Sequence, residues 1–227
     1  MREARKHAVL VHGFLQPGTE PEKQLGSIRA LCERRGYAVA VYVWAESSGE
    51  GVRRELRLLR SANESFLDTH ASDFDLWFNG FRDKVAQGDQ ITILGYSGGG
   101  SFLYHWVSAM QGSLEQVSSI ITIASPLKFP PEIYFEDRPQ RPVYIRNEKK
   151  IEINTLVKQF TIQDVHLYSL LGDCDPTVLP SMSRFDSDAE AVGSSYVVQE
   201  AVALATHSSI LVREAAINKV DEWLQGV

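Results

Sequence analysis

The sequence predicts an α/β fold, doubly wound around a mainly parallel six-stranded sheet. Three observations predict it. Apolar runs rich in valine and isoleucine recur along the chain, helical stretches separate them, and a glycine-rich turn joins one run directly to a helix. The runs are His7 to Val11, Tyr37 to Trp44, Gln90 to Leu94, Val117 to Ala124, Val165 to Leu171 and Ser195 to Ala201. Each is close to the usual length of a strand.

Between the first two runs, Thr19-Glu20-Pro21-Glu22 has the spacing of a capping box with proline in the first turn. It predicts a helix from Thr19 to Gly36 and hence a first βαβ unit. The connection from Ala45 to Asp89 carries Phe74, Trp77, Phe78 and Phe81 at the spacing of a buried helix face, with Trp44 and Phe66 before them. After the third run, FLYHWVSAM reads as a helix. A second long connection runs from Leu127 to Asp164. The segment Ser208 to Gln225 puts Ile210, Leu211, Ile217, Val220 and Leu224 at helical spacing, so the chain closes with a helix packed on the sheet. No internal repeat, low-complexity tract or linker divides residues 1–227, which read as one domain.

The 227 residues are 44% hydrophobic and 23% charged, enough for one large core. A net charge of −6 offers no basic field for nucleic acid. Arg53, Arg54, Arg57 and Arg60 alternate with Leu56, Leu58 and Leu59 and read as a solvated helix face. The first residues pass from charge straight into an apolar stretch without a small-residue cleavage site. No stretch approaches the roughly 18 to 20 apolar residues of a membrane span. Two cysteines, Cys32 and Cys174, make no disulfide framework. These features predict a soluble, cytoplasmic protein without a transmembrane segment.

The chemistry concentrates in ITILGYSGGGS, where a strand runs into Gly95-Tyr96-Ser97-Gly98-Gly99 and then a helix. This is the G-x-S-x-G elbow in the context it requires, and it makes Ser97 the candidate nucleophile. A dinucleotide fingerprint or a phosphate loop would need a different glycine spacing. A serine of ordinary acidity needs a base, and the base needs an orienting carboxylate. In this architecture both follow the serine, which sets aside His7, His12 and His70. His105 lies within the helix after Ser97 and His166 at the start of a strand. His207 falls between the last strand and the last helix, where a loop can present it to Ser97.

For the acid, LYSLLGDCDPTVLP leaves a strand with Asp173 and Asp175. Asp175, stiffened by Pro176, is preferred. Asp173 competes, and Asp186, Asp188 and Glu190 are weaker alternatives. An oxyanion would be held by the backbone N–H of Gly98 and, from the VHGFLQPG loop, of Phe14. His12 reads as a brace for that loop. There is no H-E-x-x-H, and His70, Asp73 and Asp75 make no closed ligand set, so neither metal nor cofactor is expected and activity should survive chelation.

AVLVHGF, GYSGG, GDCDPTVLP and THSSIL, in that order, resemble the successive landmarks of the α/β-hydrolase superfamily over nearly the whole chain. The usual leading pair of antiparallel strands is missing, since the HG strand lies within the first residues. The chain thus resembles the small lipase and esterase branch, and ITIASPLKFP is similar to the Ser/Thr-Pro strand exit of lipases. The resemblance implies an acyl-serine mechanism on a carboxylic ester, of a small molecule or a lipid. Thioester cleavage and acyl transfer would use the same residues, and a non-catalytic binding protein would use the same fold. Phe129, Tyr134, Phe135, Tyr144, Leu156 and Phe160 within 127–164 would either form a small apolar lid or finish the core.

Overall fold

Six runs of β-branched residues do build one sheet. The computed structural model describes residues 2, 4–13, 20–44, 66–109, 113–127, 132–133, 143–144, 153–185 and 196–226. Its sheet strands are β1 (Lys6–Val11), β2 (Ala38–Tyr42), β3 (Gln90–Tyr96), β4 (Val117–Ile123), β7 (His166–Gly172) and β8 (Val197–Val202), in the order β2-β1-β3-β4-β7-β8. Every pairing in this sheet is parallel. Two short strands, β5 (Glu132–Ile133) and β6 (Val143–Tyr144), pair antiparallel as a separate ribbon.

The helices are α1 (Pro21–Gln24), α2 (Gly26–Arg34), α3 (Phe66–Arg82), α4 (Gly98–Ala109), α5 (Ile153–Ile162), α6 (Pro180–Ser183) and α7 (Glu214–Gln225). They cover both faces of the sheet, because alternate residues of a strand point to opposite sides. Val9 and Val11 of β1 join Phe74 and Phe78 of α3, Phe102 and Trp106 of α4, and Phe160 of α5 in one cluster. Ala8 and Leu10 join Ile28 and Leu31 of α2 and Val220 and Leu224 of α7 in the other. The expected buried face of α3 is there: Phe74 and Phe78 are fully buried, and Trp77 and Phe81 pack against them.

Two helices differ from expectation. The stretch from Thr19 to Gly36 is broken at Leu25, which is buried and leaves helical geometry with ψ near 14° just before Gly26, a poor helix former. Glu20 stands at its N-cap without a side-chain cap, while Thr19 lies outside the described residues. The closing segment is also split. A 3₁₀ turn at Ser209–Leu211 sends adjacent Ile210 and Leu211 into the core, and Arg213, extended, restarts the chain as α7.

Of the aromatics considered for a lid, Phe160 belongs to the core. Phe129, Tyr134, Phe135 and the side chains of Tyr144 and Leu156 lie outside the described residues, as does the arginine cluster at 53–60. No helix among the described residues is long and apolar enough to cross a membrane.

Candidate active site

Strand β3 runs two residues past its expected end and stops at Tyr96, so Ser97 sits between a strand and a helix with no loop to relax it. Its backbone is left-handed, φ 51°, a conformation costing an L-residue about 1–2 kcal/mol. Surrounding contacts hold it there. The Ser97 amide donates to Ile123 O of β4 at 2.9 Å, and its carbonyl accepts from Gly100 N at 3.1 Å and Ser101 N at 3.2 Å. The glycines after it allow α4 to start against other backbone. A β-carbon on Gly99 would strike the His12 carbonyl, and one on Gly100 would strike Ser125 Oγ.

His207 lies in the loop between β8 and the 3₁₀ turn, 110 residues from Ser97 in sequence, and its Nε2 is 2.9 Å from Ser97 Oγ. On the other side its Nδ1 is 2.8 Å from Asp175 Oδ2. Asp175 is 3% exposed at the exit of β7, and its second oxygen, Oδ1, accepts the amides of Thr177 and Val178 at 2.8 Å each. A buried carboxylate is tolerated when each oxygen has donors. An acceptor on one side and a hydroxyl on the other suit an imidazole protonated at Nδ1 and basic at Nε2.

The loop after β1 approaches the same point. The His12 ring is fully buried and stacks on Trp44, with centroids 5.2 Å apart. Its Nδ1–H donates to Gly13 O at 2.6 Å and its Nε2 accepts from Trp44 N at 3.3 Å, while Trp44 Nε1 donates to His12 O at 2.5 Å. Burial, opposed by the Gly13 bond and aided by nearby His70, lowers the ring's pKa to about 4. His12 is therefore a neutral brace, as its place beside glycine predicts. The Gly13 amide donates to Gln24 Oε1 at 2.9 Å. Gly98 opens α4, where an amide has no partner within the helix. Phe14, the other expected oxyanion donor, lies outside the described residues.

The remaining candidates are elsewhere. Asp173 is exposed beside the Cys174 thiol. His105 is buried inside α4, and His166 stacks between Tyr168 and Tyr196 on β7. Asp186, Asp188 and Glu190 lie outside the described residues. His70 packs edge-on against Trp44, and Asp75 accepts from Trp106 Nε1 at 2.7 Å. Among the described residues no three His, Cys, Asp or Glu side chains gather as a metal-ligand group. Three contributors were not anticipated: Trp44, taken as packing only, Gln24, and Tyr96, whose hydroxyl donates to His207 O at 2.9 Å. Their partners lie 32, 11 and 111 residues away, beyond any local pattern.

No protein-family model matches the chain, and no curated protein matches it significantly in sequence. Solved structures do match in shape. The esterase Pf2001 of Pyrococcus furiosus aligns with a TM-score of 0.65 at 16% identity, over 98% of this chain and 83% of that one. Est1E of Butyrivibrio proteoclasticus aligns at 0.62 and 16% identity, over 99% and 87%. A bromoperoxidase of Bacillus anthracis aligns at 0.59 and 13% identity, over 99% and 93%. The fold is the α/β-hydrolase fold, with six parallel strands in its sheet among the described residues.

Proposed function

We propose that this chain is a serine hydrolase that cleaves a carboxylic ester, of a small molecule or a lipid, through an acyl-Ser97 intermediate. The observation that carries the reading is the hydrogen-bonded series Ser97 Oγ, His207, Asp175, at 2.9 and 2.8 Å, with the serine on a left-handed turn. Ser97 Oγ attacks the carbonyl carbon as His207 Nε2 takes its proton, and Asp175 stabilises the resulting imidazolium. The amides of Gly98 and Phe14 receive the oxyanion. The imidazolium then protonates the leaving alcohol, giving acyl-Ser97. Water, deprotonated by His207, attacks the acyl carbon, and the serine recovers its proton as the acid leaves.

The structural neighbours named as esterases favour an ester over other acyl groups. Est1E has also been solved with ferulic acid bound, so esters of aromatic carboxylic acids belong in the first substrate panel. The deciding experiment treats wild type and Ser97→Ala with a fluorophosphonate and reads the intact mass. One adduct on wild type alone is expected, with turnover of p-nitrophenyl esters falling by about 10⁴-fold or more in the variant. A well-folded wild type that takes no adduct would overturn the nucleophile assignment.

A further inference from the structure

Tyr96 is the last residue of β3 and the immediate neighbour of Ser97, yet its ring leaves the elbow and is 4% exposed. It meets two other parts of the site. The ring centroid is 5.1 Å from the His207 imidazole at an angle of 34°, and the hydroxyl donates to the His207 carbonyl at 2.9 Å. The same ring passes beneath the loop after β1, where a β-carbon on Gly13 would come within 3.0 Å of its Cδ1.

Among the described residues, the turn carrying His207 has few ties of this kind to other parts of the chain. It includes Leu204, exposed and left-handed at φ 56°, and it is joined to the acid's loop by Cys174 N donating to Ala205 O at 3.2 Å. Among the described residues, Tyr96 supplies the bond between the elbow and the main chain of the histidine itself.

We propose that Tyr96 is a positioning residue, whose hydroxyl fixes the His207 main chain against the nucleophile elbow and so sets the distance at which Nε2 meets Ser97 Oγ. The inference rests on the serine hydrolase reading above. A side chain rooted one residue from the nucleophile is suited to this task, because any shift of β3 moves Ser97 and the anchor of His207 together. Burial, and then the charge of Asp175, push the phenol's ionisation up, so the group stays a donor at neutral and mildly alkaline pH.

The test is Tyr96→Phe, which keeps the ring and removes the donor. With p-nitrophenyl esters, kcat should fall about tenfold while KM stays within about twofold, since small misplacements of catalytic groups are costly. Fluorophosphonate labelling of Ser97 should slow by the same factor. The downfield proton resonance of the His207–Asp175 hydrogen bond should broaden or move. A folded variant with wild-type kcat, labelling rate and resonance would overturn the inference. So would a rise in KM with an unchanged resonance, which makes Tyr96 a substrate contact. A wild type that neither labels nor hydrolyses defeats the proposed function instead, and the resonance comparison still decides Tyr96. Should Phe leave the chain unfolded, a difluorotyrosine at position 96 keeps the shape and strengthens the donor: a shifted resonance supports the inference, an unchanged one overturns it.

Discussion

Asp175 has both oxygens committed, one to the His207 ring and the other to two amides of its own loop. Asn in its place can still satisfy those amides, but its NH₂ then faces Nδ1 and selects the wrong imidazole tautomer. Asp175→Asn is therefore expected to lower kcat by about 10⁴-fold with little change in unfolding temperature. Asp173→Asn, at an exposed site, should stay within about twofold, as surface changes usually do. Steady-state kinetics of the pair check the assignment, and a crippled Asp173→Asn would reverse it. The sequence brings both aspartates to one strand exit and prefers Asp175 only for the stiff turn at Pro176. The structure adds the amides of Thr177 and Val178 and the His207 ring, all on Asp175.

At the scale of elements, the elbow is a packing arrangement between α4, β1 and β4. Gly100 sits where a methyl group would meet Ser125 of the β4 exit. Gly100→Ala should cost about 1–3 kcal/mol, as overpacked sites do, and displace Ser97 enough to reduce turnover. Ser125→Gly in the same chain should restore part of the loss, read by urea unfolding; additive losses would show that the two positions do not meet. The central strands were legible from β-branched runs because β1, β3 and β4 bury most of their residues whichever face they point to. Helix ends were less so. Gly26 weakens the helix locally, but nothing local says that Leu25 turns into the core there, or that Ile210 and Leu211 tighten into a 3₁₀ turn. Tertiary burial decided both.

For the molecule as a whole, His12 ties stability to pH. Folded, its ring takes a proton only near pH 4; released by unfolding, it does so near its ordinary value of 6.5. Between those values the unfolded chain binds more protons, so stability is full above about 6.5 and falls as the pH drops towards 4, by about 3 kcal/mol for the full shift. Asp89, held below the usual carboxylate range by the Arg5 amide and then by His7 and Arg2, adds acid lability of the same sign. Urea unfolding at pH 7 and pH 4.5 measures the sum. His12→Asn, which keeps a donor and an acceptor, should flatten the wild-type slope, and an unchanged slope would remove His12 from the account. The sequence showed the chain order of Ser97, Asp175 and His207 and the HG loop, but the stacking of His12 on Trp44 and the bond from the Gly13 amide to Gln24 exist only once the segments after β2 and in α1 lie against β1.

The bond between Ser97 and His207 closes a span of 110 residues, across a sheet in which β4 and β7 stand between the strands that carry them. Such a contact forms late, since its loop entropy must be met by the pairings in between. On the proposed mechanism, a chain that has emerged during synthesis as far as α4 carries Ser97 without His207, and should stay chemically silent until β8 docks on β7. Turnover recovered during refolding should then lag the return of helical signal and serve as a clock for the last strand to join.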